Sequence, residues 1–161
     1  MKRYYPVALN ISGSKTLIVG GGLVAQRKAL SLLQAGGAVK IVSPSLTSNL
    51  KRLAKSRKIK WICRKVRRSD LSGSGLVIAA TDDLIVNSKV SQWAKAKGIL
   101  VNVVDKPALS TFISPAVFKS GKAIVAVYTD GRDPVLSRDL KNYIKGNWNG
   151  FLSCRFRPSK G

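Results

Sequence analysis

Apolar and polar positions follow two rhythms along this chain. Thr16-Leu17-Ile18-Val19 is a short β-rich run that stops at Gly20-Gly21-Gly22. From Leu23 to about Ala35 the period is helical, with Ala25, Ala29, Leu32 and Leu33 on one face, and Gly36-Gly37 ends it. Ala38 to Ser43 predicts a second strand, closed by Pro44. Leu46, Leu50 and Leu53 suit a second helix, and Ile59 to Cys63 alternates as a half-buried strand would. Leu76 to Ala80 is apolar throughout, as a buried parallel strand is. Val86, Val90, Trp93 and Ala94 mark another helix, ended by Gly98, and Ile99 to Val104 is the next strand. Strands alternating with helices predict an α/β fold with a doubly wound parallel sheet over residues 1–106.

After Pro107 the rhythm changes. Phe112-Ile113 and Ala123 to Val127 suggest strands joined by a turn at Ser120-Gly121, and Pro134 to Ile144 suits a short helix. Residues 107–146 therefore predict a small α+β appendage. Residues 147–161 lack periodicity and suggest a loose basic tail.

The glycines are the first candidate chemistry. Gly20-Gly21-Gly22-Leu23-Val24-Ala25 matches G-x-G-x-x-A between a strand and a helix, the context a Rossmann-like dinucleotide site requires. Gly20 permits the tight turn, Gly22 lets backbone approach a pyrophosphate, and Ala25 allows helix to pack on strand. The helix N-terminus offers free N–H groups to the phosphates. The plainer alternative is a glycine-rich turn with no ligand. The carboxylate expected about 20 residues on, for the ribose, is missing. Ser43 stands there instead as a weaker hydroxyl partner, and no Arg claims a 2′-phosphate, which favours NAD over NADP. Ala80 and Thr81, ending the fourth strand, are expected on the cofactor side. Asp82 and Asp83 are expected to cap the following helix.

Composition narrows the chemistry. The 161 residues carry 29 Lys+Arg against 7 Asp+Glu, a formal net charge of +22, with no His. All seven acids are Asp. Without imidazole there is no Ser-His-Asp or Cys-His unit. Two thiols, Cys63 and Cys154, exclude a Cys₄ zinc site and a disulfide framework, and Cys63 is expected in the core. An Asp is then the main candidate for a base near neutral pH. Asp105, after an apolar strand, is placed to be one, or else it shapes the turn before Pro107. Asn102 either orients that region or serves as a buried backbone partner.

No apolar run approaches a membrane span and the N-terminus lacks a signal-peptide core, so a cytoplasmic protein without membrane partner is the expectation. Ten cations fall between Lys51 and Arg68, with Trp61 among them. They read as a solvated face. The alternative function they keep open is a non-enzymatic Rossmann module with a basic nucleic-acid-binding surface.

Several blocks occur in a familiar order. They are Tyr5-Pro6-Val7, then Leu17 to Lys28, then Asp70-Leu71, then Leu76 to Asp83 with Val86-Asn87. Val101-Asn102-Val103-Val104-Asp105-Lys106-Pro107, Phe112 to Ala116 and Asp133 to Arg138 follow. From about Tyr5 to Ile144 the chain resembles the siroheme-synthase N-terminal family, the precorrin-2 dehydrogenases. The resemblance implies NAD-dependent oxidation of precorrin-2, a polycarboxylate tetrapyrrole, to sirohydrochlorin, with ferrochelatase activity in some members. It implies Asp105 as the catalytic carboxylate and transient iron contact, with no resident metal. It also implies a homodimer through the second region, for which Ile113, Val117, Phe118, Val125 and Val127 are candidates. A basic surface would suit such a substrate, and Arg64 falls where the family often has Arg.

Two features depart from the pattern. Family members continue into a third, helical region, so the pocket is expected to be completed by a partner chain or to belong to a reduced dehydrogenase. Asp133 replaces a family Ser before Pro134 and is expected to cap the helix that follows.

Overall fold

A computed structural model describes residues 4–155, with only the backbone of Arg155 included. The chain divides into two compact units, residues 5–112 and, together with Tyr4, the described residues from 113 onward. The boundary lies at Phe112/Ile113 rather than at 106/107. Residues 107–112 stay with the large sheet because they are stitched to its edge, as described below.

The first unit alternates β1 (Lys15–Val19), α1 (Leu23–Gln34), β2 (Ala38–Val42), α2 (Ser48–Lys55) and β3 (Lys60–Ile62). β4 (Leu76–Ala79), α3 (Leu84–Lys95) and β5 (Leu100–Val103) follow. The five strands are all parallel, in the order β3-β2-β1-β4-β5. The chain winds outward from β1 to β3, then returns to β1's other side with β4. That reversal is the switch point beside which α/β sheets bind ligands.

Both faces of the sheet are covered, which explains why β4 is buried at every position. On one face Leu17, Val19, Val77, Val101 and Val103 pack with Val90 and Ala94 of α3. On the other, Ile18, Ile41 and Ile78 pack with Ala25 and Ala29 of α1 and Leu50 of α2. Small residues at Ala25 and Ala29 let α1 lie close on the strands, as read from the sequence.

β5 is an edge strand, and its free side is taken up locally. Thr111 N–H donates to the Val101 carbonyl at 2.8 Å, and Thr111 Oγ1 accepts from Val101 N–H at 2.8 Å. Ser110 Oγ accepts from Val103 N–H at 2.8 Å. Asn102, buried, donates Nδ2–H to the Phe112 carbonyl at 3.1 Å, so it is a backbone partner of this segment. Phe112-Ile113 is consequently not a strand.

The second unit holds the antiparallel hairpin β6 (Ala116–Ser120) and β7 (Ala123–Val127), then α4 (Pro134–Gly146) and α5 (Trp148–Arg155). The tight turn uses Gly121 at φ +55°. Asp133 caps α4 with Pro134 at its first position, its Oδ1 accepting from Leu136 N–H at 2.7 Å. Register pairs Phe118 with Val125 and Ala116 with Val127, facing α4, and leaves Val117 and Ile124 outward. Phe118, a candidate interface residue by sequence, is instead buried within its own unit. The expected loose tail is helical through Arg155. Trp148 anchors it edge-on against Phe118, ring centroids 5.3 Å apart at 83°. Residues 156–161 of that tail lie outside the described residues.

Candidate functional site

A cleft of about 650 Å³ opens at the C-terminal ends of β1, β2 and β4. It is lined by Gly20, Gly21, Gly22, Leu23, Val24, Ser43, Pro44, Ser45, Leu46, Thr47, Ala80, Thr81 and Asp82. Eight of the sequence candidates thus meet in one place. The ninth cofactor candidate, Ala25, lies beneath it in the core.

The three glycines have three different local reasons. Gly20 sits at φ +118°, and a Cβ there would lie 2.2 Å from the Ala80 carbonyl oxygen. Its N–H donates to the Val42 carbonyl at 3.1 Å, tying the loop to β2. At Gly21 a Cβ would lie 1.9 Å from the Ser45 carbonyl oxygen. These two are required by protein packing. At Gly22, φ −80°, a Cβ would meet nothing within 4 Å. Its lack of a side chain serves open space in front of α1.

That space faces a helix start without a side-chain cap and without an acid in its first turn. The helical ladder begins with Gln26 N–H donating to the Gly22 carbonyl at 3.0 Å. The N–H groups of Leu23, Val24 and Ala25 precede it and point at the cleft mouth with the positive end of the helix dipole. Bare backbone, free donors and no carboxylate suit a pyrophosphate. A dinucleotide therefore fits the residues present, with Gly22 and the first turn of α1 as its phosphate cradle.

Ser43 is nearly buried, and its backbone is fixed on both sides. Its N–H donates to the Ile62 carbonyl at 3.2 Å, and its carbonyl accepts from Trp61 Nε1–H at 2.9 Å. Thr81 is held by Asn87, which the sequence singles out only as part of the Val86-Asn87 block and without a function. Asn87 is 3% exposed. Its Nδ2–H donates to the Thr81 carbonyl at 2.8 Å, and its Oδ1 accepts from Thr81 Oγ1–H at 2.7 Å and from Thr81 N–H at 3.3 Å. The hydroxyl of Thr81 is thus engaged both by Asn87 and by the Asp83 N–H, which donates to it at 3.2 Å. Asp83 is the cap of α3, its Oδ1 accepting from Ile85 and Val86 N–H. Asp82, expected to share that job, is exposed and lines the cleft instead.

Asp105 lies at the same end of the sheet, beyond β5 and two strands from the glycine loop. It occupies the left-handed region at φ +57°, inside a turn closed by Lys106 N–H to the Val103 carbonyl at 3.2 Å. Asp tolerates that conformation better than most residues. The turn reading is therefore met, and Asp105 does not line the cleft. Among the described residues its carboxylate makes no hydrogen bond. Its charge is felt by Lys28 of α1. Burial lowers the Lys28 pKa, Arg27 lowers it further, and the Asp105 carboxylate opposes both.

Other candidates resolve as structure. Arg64 donates both terminal nitrogens to Asp70, at 2.7 and 2.8 Å, and Arg67 N–H adds a third bond at 2.7 Å. The Arg64 guanidinium holds the buried Asp70 carboxyl below its usual value. Cys63 lies just past β3, exposed, its Sγ 3.3 Å from the Pro44 carbonyl, because β3 ends at Ile62. No group of three or more Asp or Cys that could hold a metal occurs among the described residues. No helix among them is long and apolar enough to cross a membrane.

Sheet order, switch-point cleft and glycine cradle together define a Rossmann-type nucleotide-binding protein. The sequence profile of an NAD(P)-binding domain family matches residues 7–116, and the chain belongs to that family. It is 44% identical over 161 residues to a siroheme synthase of Pseudomonas entomophila (strain L48), covering 96% of this chain and 35% of that protein. It is 41% identical over 142 residues to siroheme synthase 1 of Aeromonas salmonicida (strain A449), covering 88% of this chain and 30% of that protein. The chain thus spans about a third of the length of these relatives. Among solved structures it resembles SirC, a precorrin-2 dehydrogenase, with a TM-score of 0.80 at 27% identity over 98% of this chain and 84% of that one.

Proposed function

We propose that the chain is an NAD-dependent precorrin-2 dehydrogenase, an oxidoreductase forming sirohydrochlorin. The observation that carries this is the likeness to SirC over 98% of the chain. The open cradle at Gly22 supports the cofactor half. NAD, when bound, supplies the acceptor for the hydride leaving the tetrapyrrole. Gly22 and the first turn of α1 hold the pyrophosphate, Ser43 meets a ribose hydroxyl, and the Asn87-braced backbone at Thr81 walls the nicotinamide side. Asp105 takes the proton released as the ring is oxidised, its carboxylate making no hydrogen bond among the described residues and its charge felt by Lys28 of α1. The basic surface draws in a substrate rich in carboxylates.

The same reading includes a homodimer and a cytoplasmic location. The outward face of the hairpin supports the first, since Ile124 is 65% exposed there. Sirohydrochlorin ferrochelatase activity belongs to the same proposal at Asp105.

The test is anaerobic. Purified protein is mixed with precorrin-2 and NAD, and NADH is followed with the sirohydrochlorin spectrum before ferrous iron is added. Production of both is expected, and Asp105→Asn is expected to bind NAD normally while losing turnover. Wild-type protein that binds NAD yet leaves precorrin-2 unchanged would defeat the proposal. Full turnover by Asp105→Asn would remove Asp105 from it.

A further inference from the structure

The other end of the large sheet carries a second concavity, of about 400 Å³, at the N-terminal ends of β1, β2 and β3. Five cations line it: Lys15, Lys40, Arg57, Lys58 and Lys60. No acidic residue does. The nucleotide cleft is at the opposite ends of these strands, so the two do not overlap.

Register forces two of these charges together. Lys40 and Lys60 are Cα partners on adjacent parallel strands. Their side chains leave the same face with the strands about 4.8 Å apart. Like charges facing each other across a sheet destabilise it. Lys40 is partly relieved, Nζ donating to the Asp70 backbone carbonyl at 2.7 Å. The Asp70 carboxylate also attracts Lys40, though its hydrogen bonds come from Arg64 and from Arg67 N–H. Lys15, Arg57, Lys58 and Lys60 form no ion pair among the described residues. The C-terminal dipole of α2 offsets a charge just beyond its last turn, such as Arg57. It does not account for lysines on three successive strands.

Shape then selects the ligand. The volume falls in the range of small-molecule sites. Cations converging on a concavity suit a compact anion, whereas a nucleic-acid backbone is matched by an extended stripe. We propose that this cleft binds a small, multiply charged anion bearing phosphates or carboxylates, independently of the nucleotide cleft.

The test is a titration of the ¹⁵N-labelled full chain with pyrophosphate and, separately, with citrate. Saturable amide shifts at Thr16, Ser72 and Ser74, which line the cleft, are expected with at least one probe. The tighter probe identifies phosphate or carboxylate as the source. The variant R57N/K58Q/K60Q is expected to weaken that binding at least about tenfold. Asn is chosen because Arg57 sits at φ +57°. The control K51Q/K55Q/K65Q removes equal charge outside the cleft and should change affinity by less than about twofold. All six side chains are exposed, and unchanged melting temperatures would show both variants folded. Equal losses in the two variants, shifts confined to Gly20–Gly22, no saturable binding, or binding of a DNA oligonucleotide alone would each overturn the proposal. None of these outcomes bears on dehydrogenase turnover.

Discussion

Gly22 and Gly21 are neighbours with opposite demands, and alanine separates them. At Gly21 the added carbon would collide with the Ser45 carbonyl at 1.9 Å, so Gly21→Ala should disturb the fold itself. At Gly22 the carbon enters empty space. Gly22→Ala should therefore melt as wild type does while nucleotide affinity, read by calorimetry, falls about tenfold or more. Retained affinity would mean that no phosphate approaches there. Asn87→Ala strips partners from the Thr81 backbone and should cost about 1–3 kcal/mol, with weaker nucleotide binding measured alongside. The glycine residues were legible in the sequence because their constraint is local: a turn, an approach, a helix start. Asn87 was not, because its use depends on α3 folding back over the end of β4. Asp105 is singled out by its place after a strand and by the family resemblance, whereas its left-handed turn and its distance from the glycine loop are set by the sheet.

At the scale of elements, short polar residues do much of the fixing. Asp133 satisfies one of the free N–H groups at the start of α4, and Asp133→Ala should lower stability by about 1 kcal/mol, seen as a reduced melting temperature. The Arg64–Asp70 pair pins the turn before β4 and gives a pH signature. Asp70 has its pKa lowered on folding, chiefly by the Arg64 bonds. Its stabilisation is therefore complete above the unfolded carboxylate value of 3.8 and is lost as pH falls through the lower folded value. Melting temperature against pH should drop across that acid range, and Asp70→Asn should flatten that part of the curve. The strands and helices of the first unit could be read from periodicity, since each is buried on a regular face. The second unit was read less well. Phe112-Ile113 has the composition of a strand, yet Ser110 and Thr111 bind it to β5 and leave β6 to begin at Ala116. α5 has little amphipathic pattern of its own, and its anchor, Trp148 on Phe118, joins residues far apart in sequence.

For the whole molecule, the outer face of the hairpin is the feature that a lone chain leaves open. Val117 and Ile124 stand outward there, and Leu140 and Tyr143 of α4 are exposed as well. If the proposed homodimer covers the hairpin, Ile124→Asp should shift the protein to a monomer in analytical ultracentrifugation while the hairpin, paired through its other face, stays folded. An unchanged sedimentation coefficient would place the dimer contact elsewhere.

The two margins of the large sheet are finished differently, and this bears on what heating does. On one side Ser110 and Thr111 consume the outward hydrogen-bonding groups of Val101 and Val103. On the other, β3 is three residues long and carries Lys60. Sheets with short, charged or occupied margins resist edge-to-edge stacking into fibrils. While the first unit stays folded, its large sheet thus offers a neighbour little edge to pair with, and any β-rich aggregate formed on mild warming should grow from the β6–β7 hairpin, whose two strands pair only with each other.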